Sequence, residues 1–600
     1  MLLHDGFRTA LRRVLDGRYI RVAAVVLAAC TAGDALGAPR AVVGGTLQRW
    51  HCVTVDFTGP DRREEPATFR DYRLDVTFTH TATGTKLVVP GFFAADGRSA
   101  DSGAASGTVW RANFAPPLAG AWTYRASFRT GTDVAASASA TAGTAQAPID
   151  GANGGFTVGA GTATGRDFRA LGPLRHTSGH YARFAGGTTF VKGGSDSPED
   201  LLAFADIDGT VATHRYATHV AEWRAGDPTW HGGRGKGLIG AINYLSGRGI
   251  NSLYLLTLNA RGDSNDVWPW TTATATTTYD VSKLAQWEIV LTHMERRGIA
   301  AQLVLQDDVP LDMFDSGNGS VARSIYYREI VARFAHHNAL FIIPKEEIHY
   351  TRAQILAIAN LFRALDPYDH PIILHNDRNK GEATFAPLLG TPPIDGVSLQ
   401  EVDPTPIVRR WVSGSASAGR PWTVTWDEQA PTFAGAFPDD RDGAAANNDK
   451  LRKKWWQIVF NSSAGAEWIL RPGGVGVERS IEDLHRWDSV WRWTGAAVSI
   501  VAQAIPVALM RNADALTTPT TDSVMAQAGQ VYAIYLPEGG RPTLDLTGYP
   551  RQFSVKWYDP RAGGGPQLGS VATVTGGTKV DLGDPPRDPA KDWVVVARRL

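Results

Sequence analysis

The stretch Trp422-Thr423-Val424-Thr425-Trp426-Asp427-Glu428-Gln429 is a run of β-branched and aromatic residues that ends in two carboxylates. An earlier run, Phe341-Ile342-Ile343-Pro344-Lys345-Glu346-Glu347, ends in the same way. Such residues favour β-strands, and a (β/α)8 barrel delivers its chemistry from the C-terminal ends of its parallel strands. The two stretches therefore predict a barrel whose rim carries a pair of functional carboxylates.

Residues 169–503 extend this pattern, because apolar runs alternate there with helical periodicity. That alternation favours parallel strands joined by right-handed crossovers. The strand candidates are residues 189–194, 251–256, 301–305, 340–343, 371–375, 396–400, 422–426 and 466–470. Eight strands close such a barrel. An open doubly wound sheet is the alternative, but Gly193-Gly194-Ser195-Asp196 is not the glycine-rich phosphate loop expected after its first strand.

The segments on either side of residues 169–503 have a different pattern of apolar and polar residues. A chain of 600 residues is too long for one core, since domains average about 150 residues. Residues 41–130 alternate apolar and polar positions in short segments, as in a β-sandwich, and residues 131–168 are rich in Gly and Ala, which indicates a linker with a strand or two. Residues 504–600 again suggest β-structure. The prediction is an N-terminal β-sandwich, a central (β/α)8 TIM barrel and a C-terminal β-sandwich.

Residues 1–40 have the composition of an export leader. Four arginines between positions 12 and 21 precede an apolar run over residues 22–30, which is typical of a signal peptide and too short to span a bilayer. Cleavage after Ala38 competes with lipid attachment at Cys30, where Leu-Ala-Ala-Cys resembles a lipobox. Lipid attachment at Cys30 is favoured for two reasons. Cleavage after Ala38 would leave Pro39 directly after the cleaved bond, and Asp34 interrupts the apolar segment that leads to that site. We expect an exported protein, periplasmic or on the cell surface, whose membrane contact is a lipid anchor in the outer membrane.

Composition excludes several classes of function. The 60 basic residues balance 60 acidic ones, and no basic tract appears, so nucleic acid is not an expected partner. The only cysteines are Cys30 and Cys52, which removes thiolate zinc sites, and the pair His336-His337 is interpreted as capping a helix end. No metal and no cofactor are therefore expected. The 19 tryptophans suit carbohydrate recognition, and the sequence assigns no oligomeric state.

Polar and aromatic residues follow nearly every predicted barrel strand, and the candidates for substrate binding come from them. Trp268, Trp270 and Trp426 are candidate sugar platforms, or alternatively hydrophobic plugs of the barrel top. His375 and Gln400 are placed to hydrogen-bond sugar hydroxyls, with a structural histidine as the alternative for His375. The remaining candidates are Asp196, Asn259, Asp266, Glu346 and Asp427. A further acid, Glu467 in the eighth strand, is expected to anchor a buried network.

Several motifs also carry a family resemblance. Lys192-Gly193-Gly194-Ser195-Asp196-Ser197-Pro198-Glu199-Asp200, Gly262-Asp263-Ser264-Asn265-Asp266-Val267-Trp268-Pro269-Trp270 and Asp427-Glu428-Gln429 resemble bacterial proteins that pair an immunoglobulin-like domain of unknown function with an apiosidase-like glycoside hydrolase barrel. The C-terminal stretches Val531-Tyr532-Ala533-Ile534-Tyr535-Leu536 and Trp557-Tyr558-Asp559-Pro560-Arg561 resemble the β-domain labelled collagen-binding in such proteins. The resemblance covers nearly the whole chain after the leader.

The resemblance implies hydrolysis of a poly- or oligosaccharide by a retaining two-carboxylate mechanism. Glu347 after strand four would be the acid/base and Glu428 after strand seven the nucleophile. Family members read close to Trp-Asn-Leu-Gly-Glu-Glu-Asn at strand four, whereas Ile342-Ile343-Pro344-Lys345-Glu346-Glu347-Ile348 lacks the tryptophan, the glycine and the final asparagine. In that context an alternative interpretation is that the two glutamates occupy the first turn of a helix, where carboxylates are favoured.

Two other functions stay open at this stage. One is a non-catalytic carbohydrate-binding surface lipoprotein that keeps the barrel without turnover. The other is a polysaccharide lyase, which would need a proton-abstracting Lys, Tyr or His and arginine-rich subsites for uronic acids. The acidic rim of the predicted barrel argues against the lyase.

Overall fold

The computed structural model describes residues 41–262, 264–307, 313–314, 317–346, 348–429, 434–471 and 478–600. Three predicted features therefore lie outside the described residues: the leader with Cys30, the position Asp263, and the predicted acid/base Glu347. Within the described part of the chain, a sheet-rich region precedes a closed barrel and a second sheet-rich region follows it. This order confirms the predicted fold class.

The N-terminal region is an antiparallel β-sandwich with the strand order β1-β2-β5-β4-β3-β6-β7, and β8 pairs with β6. Its strands are β1 (Val42–Gly45), β2 (Val53–Arg63), β3 (Tyr72–His80), β4 (Lys86–Phe93), β5 (Ser106–Phe114), β6 (Gly120–Thr130), β7 (Thr144–Ala145) and β8 (Asn153–Val158), and its short helices are α1 (Pro66–Arg70) and α2 (Ser99–Ser102). Strand β4 joins the two layers, because it pairs with β3 along its length and with β5 at its end. The segment 131–168, expected to be a linker with a strand or two, contributes β7 and β8.

The barrel strands are parallel and hydrogen-bonded in chain order around a closed ring. They are β11 (Lys192–Ser195), β12 (Ser252–Leu256), β13 (Ala300–Val304), β14 (Leu340–Ile343), β15 (Ile372–Asn376), β16 (Ile394–Gln400), β17 (Thr423–Glu428) and β18 (Gly465–Trp468). All eight predicted strands are thus confirmed. The intervening helices are α3 (Lys236–Gly247), α4 (Val281–Arg297), α5 (Val321–Phe334), α6 (Arg352–Leu365), α7 (Gly381–Phe385), α8 (Pro404–Ser417), α9 (Ala444–Val459) and α10 (Asp488–Ala504).

Local sequence sets the bounds of these helices. At α4 the Asp280 side chain accepts a hydrogen bond from the Lys283 amide, and Gly298 ends the helix in the left-handed region at φ 71°. The N-terminal mouth of the barrel is closed by Phe168, Phe184 and Phe190, whose rings pack together beside the short hairpin β9 (Leu174–Arg175) and β10 (Arg183–Phe184). The closed lower end leaves the C-terminal rim as the side where side chains from several strands meet.

The C-terminal region packs a six-stranded sheet, β19-β21-β22-β27-β24-β25, with a three-stranded one, β20-β23-β26. Its strands are β19 (Arg511–Asn512), β20 (Thr517–Thr518), β21 (Ser523–Gln527), β22 (Val531–Leu536), β23 (Thr543–Asp545), β24 (Gln552–Tyr558), β25 (Thr573–Thr575), β26 (Lys579–Asp581) and β27 (Trp593–Arg599). Buried aromatic residues such as Trp557 and Trp593 fill the core. No helix among the described residues is long and apolar enough to cross a lipid bilayer.

A charged network fills the centre of the barrel. The Lys192 ammonium donates to Gln302 Oε1 at 2.5 Å, Asp427 Oδ2 at 2.9 Å and Glu467 Oε2 at 3.3 Å. The side chains of Lys192, Asp427 and Glu467 are at most 1% exposed, and Ser252 donates to the other oxygen of Glu467. Burial raises the pKa of Glu467 to about 8, against the opposing effect of Lys192. The network binds β11, β13, β17 and β18 together, and Glu467 occupies the buried position expected of it.

This network predicts a large loss of stability for Lys192→Ala. The substitution leaves Asp427 and Glu467 buried without their cation, and breaking a buried ion pair in this way costs about 3–5 kcal/mol. Urea denaturation at neutral pH measures the free energy of unfolding. The matched control is Lys453→Ala, which removes the surface pair with Glu538 and should cost less than about 1 kcal/mol. Equal, small losses in both variants would contradict the stabilising role of the network.

Candidate active site

Four of the predicted site residues meet at the C-terminal rim of the barrel. Glu346 follows β14, His375 lies in β15, Gln400 ends β16 and Glu428 ends β17. Parallel strands in a closed barrel present their carboxyl ends to one face, which is why residues distant in sequence converge there. All four side chains are nearly buried, with residue exposures from 0% for His375 to 8% for Gln400.

An irregularity in strand pairing aims Glu428 at this cluster. Leu399 pairs with Trp426, but the next residue, Gln400, pairs with Glu428, so that Asp427 is an extra residue in β17. A bulge of this kind bends the strand and redirects a side chain. Asp427 can therefore reach down to Lys192 while Glu428 turns to the rim.

Both oxygens of the Glu428 carboxylate have a polar neighbour. Gln400 Nε2 donates to Oε1, and His375 Nε2 lies 3.1 Å from Oε2. The ring of His375 is oriented in turn by a hydrogen bond between its Nδ1 and Ser398 Oγ at 3.0 Å. Two adjacent strands thus place polar groups beside one carboxylate at the rim.

Glu346 occupies a different electrostatic environment. Its Oε1 accepts a hydrogen bond from the Tyr254 hydroxyl at 2.6 Å. Burial raises the pKa of Glu346 well above its usual range, and the charges of Asp307 and Glu428 raise the pKa further. These surroundings therefore favour the protonated form of Glu346.

The distance between the carboxyl groups of Glu346 and Glu428 indicates which type of glycoside hydrolysis the pair could catalyse. An oxygen of Glu346, Nε2 of His375 and an oxygen of Glu428 all lie within 4.8 Å of one another. Carboxyl groups about 5–5.5 Å apart are typical of retaining glycosidases, whereas inverting enzymes hold them about 6.5–9.5 Å apart. These three groups also have the composition of a metal site. The geometry suits covalent catalysis by a pair of carboxylic groups.

Three predicted substrate-binding residues lie in the barrel core instead of on an accessible surface. Asp427 is fully buried and accepts hydrogen bonds from Lys192 and Thr425. Trp426 and Trp270 are at most 1% exposed, so that the alternative of hydrophobic plugs describes them better than sugar platforms. Asp427 is buried because the bulge in β17 turns its side chain into the barrel. The two indole rings are buried because they pack among apolar side chains between strands and helices.

The remaining candidates shape the rim loops. Asn259 donates to Asp266 Oδ1 at 2.7 Å and its own Oδ1 accepts from the amides of Asp266 and Val267, which closes the loop after β12. Asp196 is 1% exposed, and its amide donates to the carbonyl of Trp468 at 3.1 Å. Trp268 is only partly buried, with the Lys283 ammonium 5.6 Å from its ring centre. Of the three predicted platforms, Trp268 alone keeps exposed surface.

Sequence analysis missed two residues that contact the cluster, Tyr254 and Ser398. A signal for Tyr254 was present, because alternation with Leu253 and Leu255 puts it on the inner face of β12 together with Ser252. A tyrosine hydroxyl in that position needs a polar partner. No comparable signal marked Ser398, whose role depends on the ring of His375 in the neighbouring strand.

Comparison with known proteins agrees with this architecture at both ends of the chain. Residues 46–129 match the family model described as "Domain of unknown function (DUF5060)". Residues 512–598 match "Putative collagen-binding domain of a collagenase". No curated protein sequence matches the chain.

Solved structures that share this fold include several described as glycoside hydrolases. A "putative glycoside hydrolase" from Bacteroides vulgatus ATCC 8482 aligns with a TM-score of 0.62 at 15% identity, over 93% of this chain and 100% of the other. A glycoside hydrolase family 5 structure from the same organism has a TM-score of 0.53 at 13% identity, over 72% of this chain and 94% of the other. A third, described as "Glycoside hydrolase", has a TM-score of 0.53 at 12% identity, over 72% of this chain and 98% of the other. At these identities the likeness establishes the shared fold.

The raised pKa of Glu346 predicts a pH-dependent loss of stability. The folded state keeps a proton that the unfolded state releases near an ordinary carboxyl pKa, so that stability falls as pH rises from there towards the folded-state pKa. In Glu346→Gln this group no longer titrates. The free energy of unfolding should therefore decline less between about pH 5 and about pH 8 than in the wild type.

Urea denaturation at the two pH values measures the difference. Glu382→Gln is the control, because Glu382 is an exposed surface carboxylate paired with Arg410, and its pH dependence should follow that of the wild type. Parallel behaviour of wild type and Glu346→Gln would contradict the raised pKa.

Proposed function

We propose that this protein is a glycoside hydrolase that cleaves a poly- or oligosaccharide with retention of anomeric configuration. The observation that carries the proposal is the pairing of Glu346, whose pKa is raised, with Glu428, whose carboxylate oxygen lies within 4.8 Å of an oxygen of Glu346. Gln400 donates to Glu428, and His375 lies beside it. Retaining hydrolysis needs one protonated and one ionised carboxyl at this spacing. The glycoside hydrolase structures that share the fold support the reaction class.

The first step is displacement at the anomeric carbon. Glu428 attacks that carbon and forms a glycosyl ester, while the bond to the leaving oxygen breaks and Glu346 transfers its proton to that oxygen. His375 and Gln400 orient the attacking carboxylate, and Ser398 fixes the imidazole ring. In the second step Glu346, now ionised, removes a proton from water, which attacks the ester and restores both carboxyl groups.

The acid/base role moves one residue from the sequence-based expectation. The family resemblance gives this role to Glu347, which lies outside the described residues. We assign it to Glu346 because its carboxyl faces Glu428 and because burial and neighbouring charges favour its protonated form. Export with a lipid anchor at Cys30 remains part of the proposal, since it would bring the enzyme to extracellular polysaccharides.

Product release from a panel of polysaccharides and aryl glycosides tests these assignments. Glu428→Gln should abolish turnover because no glycosyl ester can form. Glu346→Gln should lower kcat by about 10²–10⁴-fold on substrates with poor leaving groups. On an aryl glycoside with a good leaving group, added azide should restore its turnover, because azide attacks the ester without a general base.

Glu347→Gln is the matched comparison, since it changes the neighbouring residue in the same way. Azide rescue of Glu347→Gln and not of Glu346→Gln would return the acid/base role to Glu347. A wild type that binds glycans but cleaves none of the panel would contradict hydrolase activity and favour a carbohydrate-binding protein. Release of unsaturated products would favour a lyase.

Tyr254→Phe should shift the alkaline limb of the pH–activity profile. The Tyr254 hydroxyl stabilises the ionised form of Glu346 and so opposes the rise of its pKa. Loss of a hydrogen bond to a charged group costs about 1.5–3 kcal/mol, which corresponds to about 1–2 pKa units. The alkaline limb of the kcat/KM profile should therefore move to higher pH by about 1–2 pH units. A pH–activity profile in which kcat/KM falls at every pH without a shift of the alkaline limb would contradict an effect of Tyr254 on the ionisation of Glu346.

A further inference from the structure

A second cluster of titratable side chains lies far from the rim, where the N-terminal sandwich meets the helices of the barrel. Glu288 comes from α4, and His336 and His337 follow Ala335 at the end of α5. The side chain of Cys52, the residue before β2, lies against His336. Both histidines are at most 4% exposed. None of these residues takes part in the proposed hydrolysis.

One carboxylate faces both imidazole rings. Glu288 Oε2 makes a hydrogen bond with His337 Nε2 at 3.1 Å, and Glu288 Oε1 lies 3.0 Å from His336 Nε2. One ligand atom from each of the three residues lies within 4.8 Å of the other two. In a tetrahedral site with metal–ligand bonds of about 2.0–2.1 Å, neighbouring ligand atoms are about 3.3 Å apart. Small side-chain rotations would bring the three atoms to that spacing.

The outer contacts of His337 are those of a metal-binding histidine. Its Nδ1 lies 3.4 Å from Glu295 Oε2, and the other carboxylate oxygen of Glu295 accepts from the amide and the side chain of Asn338. A ligating histidine usually gives its second ring nitrogen to a carboxylate, which fixes the ring and its tautomer. Glu295 is held in position for that task before any ion arrives.

His336 provides the second observation. Among the described residues neither of its ring nitrogens makes a well-aligned hydrogen bond, although the ring is 4% exposed. The ring lies beside the Glu288 carboxylate and Cys52, with both of its nitrogens inside the protein. A divalent cation bound by Nε2 would give this nitrogen a partner.

We propose that Glu288, His336 and His337 bind a divalent transition metal of the Zn²⁺ type. Two imidazoles and one carboxylate form a set that Zn²⁺ accepts, with water as the fourth ligand, whereas Mg²⁺ and Ca²⁺ prefer oxygen ligands alone. A cavity of about 320 Å³ lined by Glu288, Cys52 and Arg111 gives an ion and its water access to the cluster.

The position of the cluster gives the metal a structural role. The ligands join α4 to the connection between α5 and β14, and the next residue, Asn338, donates to the carbonyl of Trp50 in the sandwich at 2.9 Å. A metal here would fasten α4 to the end of α5, beside the contact of Asn338 with the sandwich. Sequence spacing did not reveal it, because the ligands come from two separate helical segments and the histidines are adjacent instead of one turn apart.

Metal binding by the full-length chain, made without a polyhistidine tag and dialysed against EDTA, tests the proposal. Titration with ZnCl₂ alone should show a single equivalent bound and a rise in the unfolding midpoint, since an ion that binds only the folded state stabilises it. Co²⁺ should give the visible absorption of a tetrahedral site and be displaced by Zn²⁺. These measurements on the wild type do not depend on any variant folding.

Variants then locate the site. Glu295→Gln should weaken Zn²⁺ binding by about 10–100-fold, because it removes only the partner of His337, and His337→Gln or Glu288→Gln should weaken it more. His231→Gln is the matched control, since His231 pairs with Asp208 elsewhere on the barrel, and it should bind as the wild type does. No uptake by the wild type, or uptake unchanged in His337→Gln and Glu288→Gln, would overturn the proposal and leave a cluster of ion pairs.

Discussion

The buried contact between Lys192 and Asp427 is the constraint on which the active-site rim depends. A single ammonium, with Gln302, satisfies two carboxylates deep in the barrel, and such a burial is tolerable only when the charges are paired and hydrogen-bonded. Because Asp427 is drawn down to Lys192, the backbone of β17 bulges and the next side chain, Glu428, is directed to the rim. The position of the proposed nucleophile thus follows from an ion pair one residue earlier.

Two layers of carboxylates in one barrel have different partners. The lower layer, Asp427 and Glu467, shares the cation of Lys192. In the upper layer the Lys345 ammonium donates to the backbone carbonyls of Asp307 and Glu346. The Glu346 carboxyl is buried near Asp307 and Glu428, and its pKa rises. The same residue type therefore contacts a buried cation below and other carboxyl groups above, where it is the proposed proton donor.

The eight strands of the barrel could be predicted from sequence because each is a short apolar run between helical patterns, and that signal depends only on local composition. The rim was harder to predict. Gln400, His375 and Glu428 were identified because polar residues at strand ends face the rim in any barrel. The same rule placed Asp427 at the rim, whereas its side chain points into the core. The reason is a bulge in β17, which depends on the pairing with β16 and cannot be predicted from the sequence of one strand. The tryptophans followed the general tendency of large indoles to be buried. Partners such as Ser398 depend on the neighbouring strand and gave no signal of their own.

The altered sequence after β14 bears on the proposed acid/base assignment. Pro344 and Lys345 stand where the family resemblance leads us to expect Leu and Gly, and the Lys345 side chain turns inward, 1% exposed, to the carbonyls that follow β13 and β14. That contact fixes the backbone immediately before Glu346, whose amide also donates to the carbonyl of Gln306 at 2.8 Å. With the backbone held on both sides, Glu346 projects towards Tyr254 and Glu428. These backbone contacts, which a motif read along the chain does not include, are therefore part of the basis for proposing Glu346 as the acid/base.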